Sequence, residues 1–435
     1  MHTQRSFAIL LATGLVACGP AETTAPLPIV PVATDTYTDI EAEPLQDDIL
    51  WSVRMPGDFN GTLLVHSRGW SPVAGEPGVA PRQHIDSLLE QGYALAASNY
   101  GAGGWSVAEA VPAQELVVAE FSKRYTTPNR VIAFGYSMGG LVTTALVEKT
   151  DPVVDGGIAF CSSMGGSLGM MNMGLDGAWV FRTLVAPDAG ISVVDITDDR
   201  ANGALVSEAV ARVRDIPAGQ ARIALAGVFA GIPSWTDPDM PQPARDDAQA
   251  QLTQIMGSFP AGVFLPRAEQ EGRAGGNFSW NTGIDYTELL NRSGRRDLVE
   301  QLYDRAGISL ADDLATLAAT PRISADVVAV DYMRANYTPF AQPRVPLLAV
   351  QALGDGITSP TLQRSYADNA PADMMDSQYV ARAGHCTFDE AETLASIRRL
   401  ERRLDTGSWP PAAAPFAPHE PAPMLRACFQ GKDCE

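Results

Sequence analysis

The chain has 435 residues, long enough to bury a large core and, at about 150 residues per domain, to hold up to three domains. Hydrophobic residues make up 46% and charged residues 19%, which is ordinary globular usage and excludes a disordered chain. Lys plus Arg number 31 against 51 Asp plus Glu, a formal net charge of −20, so the basic footprint that a nucleic-acid binder needs is missing.

Phe7 to Ala17 form a short apolar run behind a weakly cationic start carrying Arg5, the pattern of a secretory signal over residues 1–17. The run is too short to span a bilayer, which takes about 20 residues. It ends in Leu15-Val16-Ala17-Cys18, which resembles the bacterial lipobox, and that resemblance implies cleavage before Cys18 and lipidation there. An ordinary cleaved signal with a chance cysteine is the plainer alternative. Residues 18–44 are rich in Pro, Thr and Ala without periodicity and read as a tether. The expected address is therefore export, to the cell envelope of a bacterium, with the membrane reached only through the lipid on Cys18.

The first clear strand is Gly61 to Ser67, a glycine-bounded apolar run. Pro81 at a helix start, Ile85, Leu88 and Leu89 on one face, and Gly92 as terminator predict a helix. Tyr93 to Ser98 reads as strand, Val107 to Tyr125 as helix, Arg130 to Phe134 as strand, a stretch through Lys149 as helix, and Gly157 to Phe160 as strand. After Cys161 the alternation breaks for residues of mixed character rich in Met, Trp, Pro and Asp. Strands resume at Val345 to Gln351 and Gln378 to Ala383, followed by a helix opened by Thr387 and Glu390 at capping-box spacing, with an apolar face through Phe388, Ala391, Leu394, Ile397 and Leu404. Alternating strands and helices imply an α/β fold, a mostly parallel sheet flanked by helices, interrupted by a mainly helical insertion. The division expected is a core of 45–163 and 341–406, an insertion of 164–340, and a Pro-rich surface tail of 407–435.

Gly135-Tyr136-Ser137-Met138-Gly139 is a G-x-S-x-G sequence between an apolar strand and a helix, the context in which a serine is exposed on a sharp turn. A second match, Gly165 to Gly169 around Ser167, lies several residues past its strand and reads as a flexible loop. A serine hydroxyl needs a base, and the chain holds five histidines. His2 leaves with the signal; His66 reads as a strand-end residue and His84 as lying on an exposed helix face. His419 sits among prolines with nothing to position it, whereas His385 ends a strand in Ala383-Gly384-His385-Cys386. The acid that holds its tautomer is expected at Asp355, after the strand ending near Ala352; Asp326, Asp331 and Asp376 are placed at the wrong ends. Negative charge on the substrate oxygen should meet the backbone N–H of Met138 and, from the loop Ser67-Arg68-Gly69-Trp70, that of Trp70.

With Cys18 set aside, Cys161, Cys386, Cys428 and Cys434 make an even number in an exported chain, favouring two disulfides out of three possible connectivities. The short spacing of Cys428 and Cys434 would leave Cys161 with Cys386, a bridge that would pin the histidine loop; buried free thiols are the alternative. No histidines or cysteines stand at zinc spacing, so no metal is expected.

These residues resemble the α/β-hydrolase fold family over roughly residues 50–160 and 340–405, with a cap domain in place of the insertion. The resemblance implies acyl transfer to water through an acyl-enzyme and no cofactor. Where relatives often have His-Gly in the oxyanion loop, this chain has Arg68-Gly69. The expected activity is carboxylic ester hydrolysis on a small-molecule or oligomeric ester. Met170, Met171, Met173, Trp179, Phe181, Trp235, Phe278 and Trp280 are apolar cap residues that could meet it, although a cap core accounts for most of them. An exopeptidase of the same fold would need carboxylates such as Glu269, Glu271 or Asp285 to grip an amino terminus. A non-catalytic binding protein on the same scaffold is the third reading.

Overall fold

Apolar runs bounded by glycine become the central strands of one sheet in the computed structural model, which describes residues 38–434. The core opens with β1 (Ile40–Gln46), β2 (Ile49–Arg54), β3 (Thr62–Ser67), α1 (Ile85–Glu90), β4 (Ala94–Ser98), α2 (Val107–Arg124), β5 (Arg130–Tyr136), α3 (Met138–Glu148) and β6 (Gly156–Phe160). A helical insertion follows: α4 (Gly166–Leu184), α5 (Asp199–Val213), α6 (Pro217–Phe229), α7 (Ala248–Val263), α8 (Ala268–Ala274), α9 (Tyr286–Arg292), α10 (Arg296–Ala306), α11 (Leu310–Ala319) and α12 (Val327–Tyr337). The core closes with β7 (Leu347–Gly354), α13 (Pro360–Asn369), β8 (Met375–Ala383) and α14 (Glu390–Thr406).

The strands lie in the order β1-β2-β4-β3-β5-β6-β7-β8. β1 and β2 pair antiparallel, β2 joins β4 antiparallel, and every later neighbour is parallel. A parallel sheet must be covered on both faces, and it is. On one side Leu63, Val65, Ala133 and Leu347 pack with Val117 and Phe121 of α2 and Leu141 of α3. On the other, Leu64, Ile132, Ile158 and Leu348 pack with Leu88 of α1 and with Ile397 and Leu400 of α14. At about 1.5–3 kcal/mol for each fully buried aliphatic or aromatic side chain, these two layers supply the main stabilisation of the core. The insertion builds its own apolar core from α4, α6, α7, α9 and α10, with Trp179 stacked on Tyr286 at 5.1 Å. Strand order, parallel crossovers and helical insertion make this the α/β-hydrolase fold.

Several local expectations are corrected. Residues 40–44 belong to β1, so the sheet takes the end of the stretch read as tether; the alternation there is weak because this edge strand exposes most of its side chains. The helix after β8 is capped by Asp389 and Glu392 in a reciprocal capping box, two residues later than Thr387 and Glu390. Ala391 is exposed, and Thr393, Ser396 and Leu400 join Ile397 on the buried face. Ser167 is not in a flexible loop: it lies in the first turn of α4, buried, accepting a 2.5 Å hydrogen bond from Trp105 Nε1. His84 is buried too, in a 3₁₀ turn beneath α14, because Thr393 packs over its ring. The prolines of the tail are exposed or half-buried except Pro421, which is buried, and beyond them Arg426 is fully buried against Asp176 of α4 at 2.7 Å and donates to the Trp280 carbonyl. Breaking a buried pair of this kind costs about 3–5 kcal/mol, so the tail is fastened to the insertion. The signal, the tether up to residue 37 and Cys18 lie outside the described residues.

Candidate active site

Ser137 occupies the turn between β5 and α3 with φ +58° and ψ −121°, a conformation a non-glycine residue holds only when its surroundings enforce it. Gly139 makes the enforcement possible, since a Cβ there would drive into the Ser67 and Arg68 carbonyls of the neighbouring loop. Asp355 follows β7, and His385 follows β8 after Gly384. All three therefore stand beyond the carboxyl ends of parallel strands, where open α/β sheets place their sites.

His385 Nε2 is 3.0 Å from Ser137 Oγ, and His385 Nδ1 is 2.8 Å from Asp355 Oδ2 and 3.1 Å from Oδ1. An ionised carboxylate only accepts, so the ring proton sits on Nδ1, and Nε2 is left to accept the serine hydroxyl proton. Asp355 is fully buried, and its Oδ1 accepts from the backbone N–H of Ile357 and Thr358, both at 2.9 Å. The Thr358 hydroxyl lies 3.0 Å from Asp355 Oδ2, 3.2 Å from His385 Nδ1 and 2.8 Å from the Cys161 carbonyl oxygen. Thr358 was not anticipated; its only trace in the sequence is a threonine three residues after an aspartate in a turn, where side chain and backbone both reach the carboxylate.

Cys161 and Cys386 are disulfide-bonded, joining the end of β6 to the residue after His385. Cys386 Sγ stands 3.4 Å from His385 Nε2. Cys428 and Cys434 form the second bridge. Cys161, Cys386 and His385 are close enough together to resemble a metal site, but the sulfurs are bonded to each other and both ring nitrogens are engaged.

Met138 is the first residue of α3, so its N–H has no acceptor within the helix and lies directly after the nucleophile. Gly69 and Trp70 line the same pocket as Ser137, and the Gly69 Cα is so near that a Cβ on it would lie 3.4 Å from Ser137 Cβ. Arg68 fastens this loop: Nη2 donates to the Ala102 carbonyl at 2.6 Å, Nη1 to the Gly69 carbonyl at 3.0 Å, and the guanidinium lies 4.5 Å from the centre of the Tyr100 ring. Burial lowers its pKa.

The pocket in front of Ser137 has a volume of about 570 Å³. Trp105, Met170, Phe264, Leu265, Pro266 and Ile357 supply its apolar wall, and among the described residues no carboxylate, lysine or arginine lines it. Of the expected cap residues only Met170 reaches it. Met171, Met173, Trp179, Phe181 and Phe278 are core, Trp280 packs against the core beside Arg426, and Trp235 lines a different cavity. Trp105, Phe264 and Leu265 were missed because they sit at element ends, where no periodicity marks them. The carboxylates that an exopeptidase would use are engaged elsewhere. Glu269 pairs with Arg273 and accepts from Trp105 N–H, Glu271 pairs with buried Arg267, and Asp285 caps α9.

The remaining histidines have structural settings. His66 Nδ1 donates to the Gly78 carbonyl at 2.6 Å, and burial, opposed by that bond and reinforced by His84, lowers its pKa to about 4. His419 packs edge-on against Tyr379 at 5.3 Å.

Fold and site together define a serine hydrolase of the α/β-hydrolase fold. No protein-family model matches the chain. It is 29% identical over 402 residues to a protein named o-phthalyl amidase from Xanthobacter agilis, covering 84% of this chain and 87% of that protein. Similar solved structures include feruloyl esterase B from Aspergillus oryzae (16% identity, TM-score 0.37, 83% of this chain and 78% of that one). Another is proline iminopeptidase from Mycobacterium smegmatis (12% identity, TM-score 0.39, 85% and 100%).

Proposed function

We propose that this chain hydrolyses carboxylic esters and amides that carry a compact apolar or aromatic acyl group. The observation that carries the reading is the Ser137–His385–Asp355 hydrogen-bonded chain opening onto an apolar pocket of about 570 Å³. Ser137 Oγ attacks the acyl carbon while His385 Nε2 takes its proton, and Asp355, held by two backbone donors and faced by the Thr358 hydroxyl, stabilises the imidazolium. The developing oxyanion would be received by the N–H groups of Met138 and Trp70. Collapse expels an alcohol or amine protonated by His385, and water then cleaves the acyl-enzyme by the same route in reverse. Esters need less help from the acid than amides; the likeness to a protein named o-phthalyl amidase supports an aromatic acyl group and an amine leaving group.

Fluorophosphonate labelling of the full chain, lost in Ser137→Ala, tests the nucleophile. Paired hydrolysis of an aryl ester and an anilide of the same aromatic acid, beside aminoacyl anilides with a free amine, tests the substrate class. An unlabelled wild type would return the reading to a binding protein on a hydrolase scaffold, and preference for the free-amine substrates would return it to an exopeptidase. We further propose export and lipidation at Cys18, with the domain held at an envelope membrane. Two disulfides support an oxidising compartment. Acyl labelling that persists in Cys18→Ala would refute the anchor.

A further inference from the structure

A second cavity, of about 220 Å³, lies behind the loop that carries Asp355. Three parts of the chain enclose it: Leu353 and Ser359–Thr361 from the core, Trp235 and Arg295 from the insertion, and His419 and Pro421 from the tail. Consecutive residues of one loop line the two cavities, Ile357 and Thr358 the catalytic one and Ser359 and Pro360 this one.

Arg295, the residue that caps α10, is its charged group. Its Nη1 donates to the Ile232 carbonyl and its Nη2 to Ser234 Oγ at 2.9 Å, so both partners are neutral. Among the described residues no carboxylate stands within ion-pair distance of it, in a chain with 51 acidic residues. Arg267, Arg399 and Arg426, which are buried more deeply than the partly exposed Arg295, each hold a carboxylate. Burial, opposed in part by the charge of Asp297, lowers the Arg295 pKa to about 10, so the guanidinium stays charged at neutral pH and its desolvation is only partly offset. An anion entering the cavity would relieve it.

One cation sets the ligand charge at about −1. The guanidinium fork matches a carboxylate in two parallel hydrogen bonds. The rest of the wall joins Trp235, Leu353, Leu425 and prolines to neutral polar groups such as Gln242 and Thr361 and presents more apolar than polar surface, which suits an organic body in preference to a hydrated inorganic ion. The volume lies below the range of about 300–1,000 Å³ usual for drug-sized ligands and suits a single ring. We propose that this cavity binds a small organic monocarboxylate seated on Arg295, with its body against Trp235 and the tail prolines. The proposal stands independently of the hydrolytic reading.

The test is calorimetric titration of the full chain with benzoate, with inorganic phosphate as a second arm, together with the melting temperature at saturation. Saturable benzoate binding and a raised melting temperature are expected. Arg295→Gln should weaken binding at least about tenfold, as loss of a charged bidentate partner does. Because Arg295 also ties Ile232 and Ser234, a second variant leaves those bonds alone: His419→Trp, from the exposed tail, fills the cavity and should abolish binding while the protein stays folded. Absence of saturable heat up to about 10 mM benzoate would overturn the proposal. So would wild-type affinity in both variants, or binding of phosphate without benzoate.

Discussion

Removing the Cys161–Cys386 bridge, by Cys161→Ala with Cys386→Ala, should cost both stability and turnover, whereas removing Cys428–Cys434 should cost a little stability alone. The first bridge closes a loop of 225 residues and the second a loop of 6. In the chain-entropy description, ΔS is about −2.1 − 1.5R ln n cal/mol/K, which is about 5 kcal/mol at 25 °C for the first and about 2 kcal/mol for the second. A 435-residue chain unfolds with an entropy near 0.9 kcal/mol/K, so the melting temperature should fall by about 6 °C in one case and about 2 °C in the other. The first bridge also anchors the residue next to His385, and freeing that loop lets the ring leave the 3.0 Å contact with Ser137 Oγ. A kcat loss of about tenfold is expected from a displacement well under 1 Å. Calorimetric melting and ester turnover of the two double variants, with a free-thiol count on the denatured wild type, provide the assay. Equal melting shifts for both variants together with unchanged kcat would refute the argument, and four free thiols in the wild type would remove its premise.

Thr358→Val keeps the shape but deletes the hydroxyl beside Asp355 and His385; at about 1.5–3 kcal/mol for a hydrogen bond to a charged group, kcat should fall about 10- to 100-fold with KM unchanged, and Thr358→Ser should recover most of it. Gly139→Ala drives a methyl into the Ser67 and Arg68 carbonyls, so a loss of about 3 kcal/mol in urea unfolding, or no soluble protein, is expected. His66 is neutral when folded, with its pKa lowered to about 4, whereas the unfolded chain protonates near 6.5. Its contribution is therefore intact above pH 6.5 and lost as pH falls toward 4, by about 3 kcal/mol; His84 is shifted in the same direction. Urea midpoints between pH 7.5 and 4.5 should drop less steeply in His66→Gln than in the wild type.

Periodicity located the strands that are buried on both faces, because such strands read as continuous apolar runs. It failed at β1, an edge strand, and at β2, too short and mixed to read as an apolar run, and it misread His84, covered by α14, and Ser167, whose glycine-rich surroundings suggested a loop but which is covered by Trp105. Ser137 was legible because its turn demands glycine at a fixed offset. His385 and Asp355 were legible because few histidines exist and chain order restricts the acid. Thr358, the apolar wall of Trp105, Phe264 and Leu265, and the engagement of Glu269, Glu271 and Asp285 were not.

The amino-acid order by itself determined the sheet-building segments, the serine turn and the choice of base, since each rests on local backbone chemistry or on scarcity of a residue type. Only the tertiary structure decided what the pocket presents to a substrate and which cation, Arg295, is held by neutral partners in place of a carboxylate. Those properties belong to side chains brought together from segments hundreds of residues apart, and a carboxylate that caps a helix or neutralises an arginine looks the same in sequence as one free to bind.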